Sequence, residues 1–141
     1  DLLADDGVAM IHTIGRMRRP QPINPWMRKY IFPGSYLPSA SQLMKAIEKT
    51  GMWLTDFENL RMHYALTLDR WNDTFQQNRE KVASLYDERF CRMWELYLQG
   101  CEMGFHIQEL TVFQMQLAHR RDAVPLVRDY LYRRPMALAA D

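Results

Sequence analysis

A histidine at the polar end of an apolar run and a phenol at the head of a helical stripe are the two side chains of this sequence best placed for chemistry. Met10-Ile11-His12-Thr13-Ile14-Gly15 reads as a strand whose polar residues gather at its C-terminal end. In an open α/β sheet, ligands bind in the crevice beyond the carboxyl ends of the strands. His12 and Ile14 are two apart, so their side chains share one face. On the residues alone, His12 is equally a hydrogen-bonded structural histidine. Tyr64 lies far along the chain and heads the series Tyr64, Leu68, Trp71 and Phe75, one continuous helical stripe; read by itself it is a core aromatic. Tyr97, Cys101 and Phe105 follow at successive i, i+4 positions on one face of a later helix, where plain packing accounts for them equally well. Cys101 has no basic neighbour within a turn to lower its pKa, which argues against a nucleophilic role. His106 and His119 read as surface or turn residues.

The elements that must position these groups can be read in order. Val8 to Ile14 is apolar apart from His12 and Thr13, the pattern of a strand covered on both faces. Arg16 to Ser39 is a long connection punctuated by Pro20, Pro22, Pro25, Pro33 and Pro38; proline removes donors and blocks regular ladders. Long connections of this kind are often lids or binding loops. Trp26, Tyr30, Phe32 and Tyr36 give it an apolar face, and it must fold back across the end of the first strand. Ser39-Ala40-Ser41-Gln42 has capping-box spacing and predicts a helix with Leu43, Met44 and Ile47 inward, ended by Gly51. Trp53 to Arg61 reads as a strand with Trp53, Thr55 and Phe57 on one face. Helical patterns follow from His63, over Gln76 to Leu85, and from Asp87 as N-cap. Glu109 to Ala118 is the clearest strand, Phe113, Met115 and Leu117 alternating with Gln114 and Gln116. The tail beyond His119, ending Met136 to Asp141, reads as loose helix or disorder.

Composition narrows the classes. Hydrophobic residues at 48% and aromatics at 12% suffice for a core, and charged residues at 25% make an ordinary surface. No apolar run approaches the ~18 residues that span a bilayer, and no secretory signal pattern is present. Cys91 and Cys101 sit within one predicted helix, about 15 Å apart, too far to bridge; they read as free thiols of a reducing cytoplasm, without a zinc site. Between Gly7 and Ile47 the chain carries Arg16, Arg18, Arg19, Arg28, Lys29 and Lys45 and no acidic residue. Such a patch attracts anionic lipid or nucleic acid, and it is also what a solvated basic loop looks like. No nucleic-acid module is recognisable, so nucleic acid is not expected as a partner. There is no GxGxxG or related glycine-rich nucleotide loop.

Several separated motifs together carry a resemblance: His12-Thr13-Ile14-Gly15, Tyr30-Ile31-Phe32-Pro33-Gly34, Leu37-Pro38-Ser39, His63-Tyr64-Ala65-Leu66-Thr67-Leu68, Arg89-Phe90-Cys91-Arg92-Met93-Trp94 and Phe113-Gln114-Met115-Gln116. In this order, over roughly residues 7 to 118, the sequence resembles the C-terminal half of the cyclopropane-fatty-acyl-phospholipid synthases, relatives of the mycolic-acid cyclopropane synthases. The resemblance implies the α/β fold of a class I S-adenosylmethionine-dependent methyltransferase, Rossmann-like, of which residues 1–141 form the C-terminal portion. Residues 7–61 would supply strand, loop, helix and strand, 62–106 a helical lid, 107–119 a last strand inserted antiparallel between the other two, and 120–141 a tail. The implied reaction is methylene addition across a cis double bond of a phospholipid acyl chain, through a carbocation deprotonated by a bound bicarbonate or carbonate ion. The ion's ligands mapping here are the His12 side chain, the Ile14 backbone amide and the Tyr64 hydroxyl. Phe32, Trp94, Tyr97, Cys101 and Phe105 map to the acyl-chain tunnel.

S-adenosylmethionine would be bound mainly by an N-terminal half that this sequence lacks, so the piece alone is expected to be inactive. The chain, lacking an initiator methionine and opening almost directly on a strand, reads as part of a longer protein. The partners implied are an unsaturated phospholipid and an anionic membrane surface met peripherally from the cytoplasm; a homodimer stays open. Two other readings stay open as well: a methyl-branched product from the same carbocation, and a non-catalytic helical module docking on a membrane or a partner.

Overall fold

In the computed structural model, which describes residues 2–132, the fold is organised by its last strand. Four elements precede the lid: β1 (Val8–Arg16), α1 (Pro25–Tyr30), α2 (Ala40–Glu48) and β2 (Trp53–Asn59). Then come α3 (His63–Gln77), α4 (Arg79–Leu85), α5 (Glu88–Ile107) and β3 (Leu110–Ala118), followed by a short 3-10 turn at Arg128–Leu131. The sheet order is β1-β3-β2, with β3 antiparallel to both neighbours. The expected insertion of the last strand between the other two is therefore what the fold contains.

The period-2 pattern of β3 divides the core. Phe113, Met115 and Leu117 face α2 and bury against Ile47 with Leu43, Met44, Leu54 and Phe57 around them. Val112 and Leu110 face the lid, where Ala65, Leu68 and Phe75 of α3 meet Cys91, Tyr97, Leu98 and Phe105 of α5. The helices begin where the side chains direct. Ser39 and Gln42 form a complete capping box at α2. Asp87 Oδ1 accepts from the Phe90 amide at 2.6 Å at the start of α5.

Four expectations are corrected. β1 is not covered on both faces: Val8, Met10 and Ile11 are exposed, and β3 is the one strand beside it among the described residues, its other edge being met only at Arg16, by Ser39. Trp53, Thr55 and Phe57 do not share one face of β2. A register shift between Leu54 and Asp56 puts Leu54 and Phe57 in the core and leaves Trp53 exposed. The proline-rich connection is not wholly irregular: Asn24 Oδ1 accepts from the Trp26 amide at 2.8 Å and Pro25 occupies the first turn of α1, where its missing N–H costs nothing. The start of the tail is tied down, with Arg128 paired to Asp56 at 2.7 Å and Tyr130 donating to Gln116 Oε1 at 2.7 Å. The expectation for Met136 to Asp141 lies outside the described residues.

Candidate active site

The returning loop locks onto the end of β1, as its position in the sequence demanded. The Arg16 amide donates to the Pro38 carbonyl at 3.0 Å, and Arg16 pairs with Ser39 in an isolated parallel bridge. Gly15 makes this approach possible: a Cβ there would stand 2.6 Å from the Pro38 oxygen and 2.7 Å from the Phe113 ring. Further back in the loop, Pro33-Gly34 forms a tight turn, with the Ser35 amide donating to the Phe32 carbonyl at 3.2 Å and Gly34 at φ +76°. That left-handed position at the third residue suits glycine. The turn aims Phe32 at α5, where its ring meets Tyr97 edge-on at 5.6 Å.

Strand, loop and lid enclose a cavity of about 540 Å³, within the range of small-molecule sites. Ile14 and Arg16 come from β1, Trp26, Met27 and Phe32 from the loop, and Tyr64 and Leu68 from α3. Tyr97, Cys101 and Phe105 come from α5. Val112 of β3 is the common reference: it pairs with Ile14 on one side, and its carbonyl accepts from the Leu60 amide at 2.9 Å on the other. Leu60 in turn accepts from the His63 amide at 2.9 Å, so α3 starts beside the same strand, and Tyr64 lines the cavity together with Ile14.

The Tyr64 ring is held by Phe105 at 5.2 Å and Trp71 at 5.9 Å. Its hydroxyl has no hydrogen-bond partner among the described residues. Burial, helped by Cys101, raises its pKa, so it stays a protonated donor. Burial, with smaller contributions from Cys101 and Tyr64, pushes Tyr97 up to about 12, and burial pushes the Cys101 thiol up to about 11. Cys101 is therefore a wall residue, inert as a thiol at neutral pH.

The structure brings Ile14, Phe32, Tyr64, Tyr97, Cys101 and Phe105 into one cavity and leaves two predicted residues outside its lining. Trp94 backs the wall, its ring 4.9 Å from Tyr97 and stacked on Phe90. His12 lies on the same face of β1 as Ile14 but is exposed, with Nδ1 3.1 Å from the amide nitrogen of Gln114 directly across the ladder. Sequence reasoning missed Arg16, Gln108 and Leu110 as lining residues; for Leu110 the signal was present, since it shares the strand face of Val112. No group of carboxylates, histidines or thiols suited to a metal occurs among the described residues, and no described helix is long and apolar enough to cross a membrane.

A strand order with an antiparallel strand inserted beside β1, under a helical lid, is the terminal part of a Rossmann-like methyltransferase sheet. Residues 1–115 match the sequence model of the mycolic acid cyclopropane synthetase family, and the chain belongs to that family. It is 43% identical over 104 residues to the tuberculostearic acid methyltransferase UfaA1 of Mycobacterium tuberculosis, covering 72% of this chain and 24% of the relative. It is 33% identical over 113 residues to the cyclopropane-fatty-acyl-phospholipid synthase of Escherichia coli K12, covering 80% and 29%. The solved structure of the mycolic acid cyclopropane synthase CmaA1 complexed with SAH and CTAB matches with a TM-score of 0.71 at 29% identity, over 79% of this chain and 44% of that one. The chain thus spans less than half the length of each.

Proposed function

We propose that this chain forms the acyl-chain cavity and the anion-holding wall of an S-adenosylmethionine-dependent enzyme that adds a methylene across a cis double bond of a phospholipid acyl chain. The observation that carries this reading is a Tyr64 hydroxyl with no partner among the described residues, in a mostly apolar cavity that Ile14 also lines. The enzyme works in the cytoplasm, peripheral to the inner face of the membrane. Family membership and a neighbour solved with SAH and CTAB, a long-chain amphiphile, support the reading of a cofactor-dependent transfer to a lipid chain.

S-adenosylmethionine, when bound, supplies an electrophilic methyl group. No glycine-rich loop occurs in the 141 residues, so no residue here is assigned to holding it, and the chain by itself does not turn over. Its own residues do the rest. Phe32, Tyr97 and Phe105 exclude water, which would otherwise trap a carbocation on the acyl chain as an alcohol, and their ring faces favour the cation. Tyr64 offers its O–H and Ile14 its backbone N–H toward one small anion. His12, exposed beyond the cavity lining and held at Nδ1 by Gln114, is the third donor of this reading. A phenol donor with no partner among the described residues fits bicarbonate or carbonate, and the ion held there supplies a weak base.

A second reading is favoured by the 43% identity to a tuberculostearic acid methyltransferase: the same carbocation takes a hydride from a separate donor of the reduced-nicotinamide class, leaving a methyl branch. Mass spectrometry of lipids from cells expressing the intact protein separates the two. A gain of CH2 with loss of the double bond indicates the ring, and a gain of CH4 indicates the branch. Lipids unchanged by expression would sink both.

A further inference from the structure

We infer that Gln114 is a positioning residue for His12: its side-chain amide holds the imidazole with a bare Nδ1 and the proton on Nε2, so that the ring meets the anion as a donor. The inference rests on the anion-site reading, in which His12 is one of three donors, and adds the group that keeps the imidazole in donating form. A neutral imidazole has one N–H, and the partner of one nitrogen decides which nitrogen carries it. The one hydrogen bond of the His12 ring among the described residues joins Nδ1 to the side-chain nitrogen of Gln114 at 3.1 Å. An amide nitrogen donates and does not accept. The shared proton therefore belongs to Gln114, and the ring's own proton is left to Nε2.

The ladder reserves Gln114 for this task. His12 and Gln114 are register partners across β1 and β3, where facing side chains lie within reach. Ile14 and Val112 form the next row on the same sheet face, and Val112 is packed under α3 and α5. In the row on the other side, Gln116 accepts from Tyr130 and Asp56 pairs with Arg128. The row between lid and tail is His12, Gln114 and Glu58. In it the Gln114 side chain bonds to His12 alone among the described residues. Gln114 is also the one residue from Thr111 to Ala118 that is not buried, so packing asks little of its type. A carboxylate in place of the amide would accept from an N–H at Nδ1 and draw the proton to the wrong nitrogen.

Nitrogen NMR of the intact protein with isotope-labelled histidine reads the tautomer directly under alkaline conditions, where imidazoles are neutral; the His12 signals are those missing from His12→Asn. Wild type is expected to show a bare Nδ1 and a protonated Nε2. Gln114→Glu, which keeps the side-chain length and removes the donor, should move the proton to Nδ1, and Gln114→Leu should leave a mixture of the two forms. Wild type with the proton on Nδ1, or a tautomer unchanged in both variants, overturns the inference.

Turnover is read on the same proteins. Both variants should lose at least tenfold in kcat, with KM for the lipid and affinity for S-adenosylmethionine within about twofold of wild type. A loss of kcat with the wild-type tautomer retained makes Gln114 a structural residue and overturns the inference. Full kcat in a variant whose tautomer has moved, while His12→Ala is slow, overturns it as well. If His12→Ala keeps full turnover, the anion-site reading fails, and the NMR result alone decides whether Gln114 holds the ring. Should Gln114→Leu not fold, Gln114→Glu carries both readouts.

Discussion

Replacing Tyr64 by Phe in the intact protein removes one oxygen from the cavity and little else. The ring contacts to Phe105 at 5.2 Å and Trp71 at 5.9 Å are kept. The hydroxyl has no partner to be stranded among the described residues, so the melting temperature should barely move. What is lost is a hydrogen bond to a charged ligand, which contributes about 1.5–3 kcal/mol. If that ligand is the base, kcat should fall by about ten- to a hundredfold. The affinity for S-adenosylmethionine, measured by calorimetry, should stay close to wild type, because no described residue contacting Tyr64 belongs to a cofactor loop. The raised pKa of the phenol adds a second expectation: wild-type turnover should show no inflection from Tyr64 through neutral pH. Turnover is followed as labelled methyl carried from cofactor into vesicles of unsaturated phospholipid. A variant with full kcat would refute the anion site, and so would a loss of kcat matched by an equal loss of folded protein. His12→Ala should act in the same direction, but it also frees Gln114, so the tyrosine is the cleaner probe.

Other perturbations test the scaffold around that site. Gly15→Ala places a methyl 2.6 Å from the Pro38 oxygen and against Phe113; overpacking of this kind should cost about 1–3 kcal/mol, read as a lower urea midpoint at unchanged slope. Cys101→Phe puts a third ring beside those of Tyr97 and Phe105 in the cavity wall and should raise KM for oleoyl chains more than tenfold while sparing cofactor binding, as kinetics with acyl chains of graded length would reveal. Stability should fall as pH rises from 9.0 to about 11, because in that window an unfolded Cys101 has lost its proton while the buried thiol keeps it. Tyr97 extends the fall from 10.0 to about 12, and urea midpoints across this range should drop less steeply in Cys101→Ser.

The period-2 alternation of Phe113, Met115 and Leu117 and the caps at Ser39 and Asp87 were readable because each depends on residues only a few positions apart. The turn at Pro33-Gly34 and the crossing of the loop over Gly15 follow from equally local rules. The place of β3 between the other strands came instead from family resemblance, since pairing partners are remote in sequence. What stayed hidden depends on neighbours that no spacing reveals. The shift at Thr55 is a property of the ladder with Gln116. The exposure of His12 follows from where the lid stops: α3 and α5 cover Val112 and Leu110 but not Gln114. Arg16, read as one cation among several in a basic stretch, differs from Arg18 and Arg19 only in that the returning loop buries it. α1 is a different kind of miss, for Asn24-Pro25 is a recognisable helix start that the surrounding prolines obscured.

Both halves of the candidate site are referred to β3, and this gives the arrangement its precision. Val112 pairs with Ile14 and accepts from Leu60, so the strand and the helix that carry the two proposed anion donors, Ile14 and Tyr64, are positioned from a single buried residue. A slip of one position in β3 would turn Val112 toward α2, send Phe113 into the lid and move Ile14 and Tyr64 out of register together. The near-complete burial of Val112, Phe113 and Met115 opposes that slip on both faces of the sheet. The proline-rich loop with Phe32 and the α5 face with Cys101 complete the lining of the cavity, the part proposed to take the acyl chain.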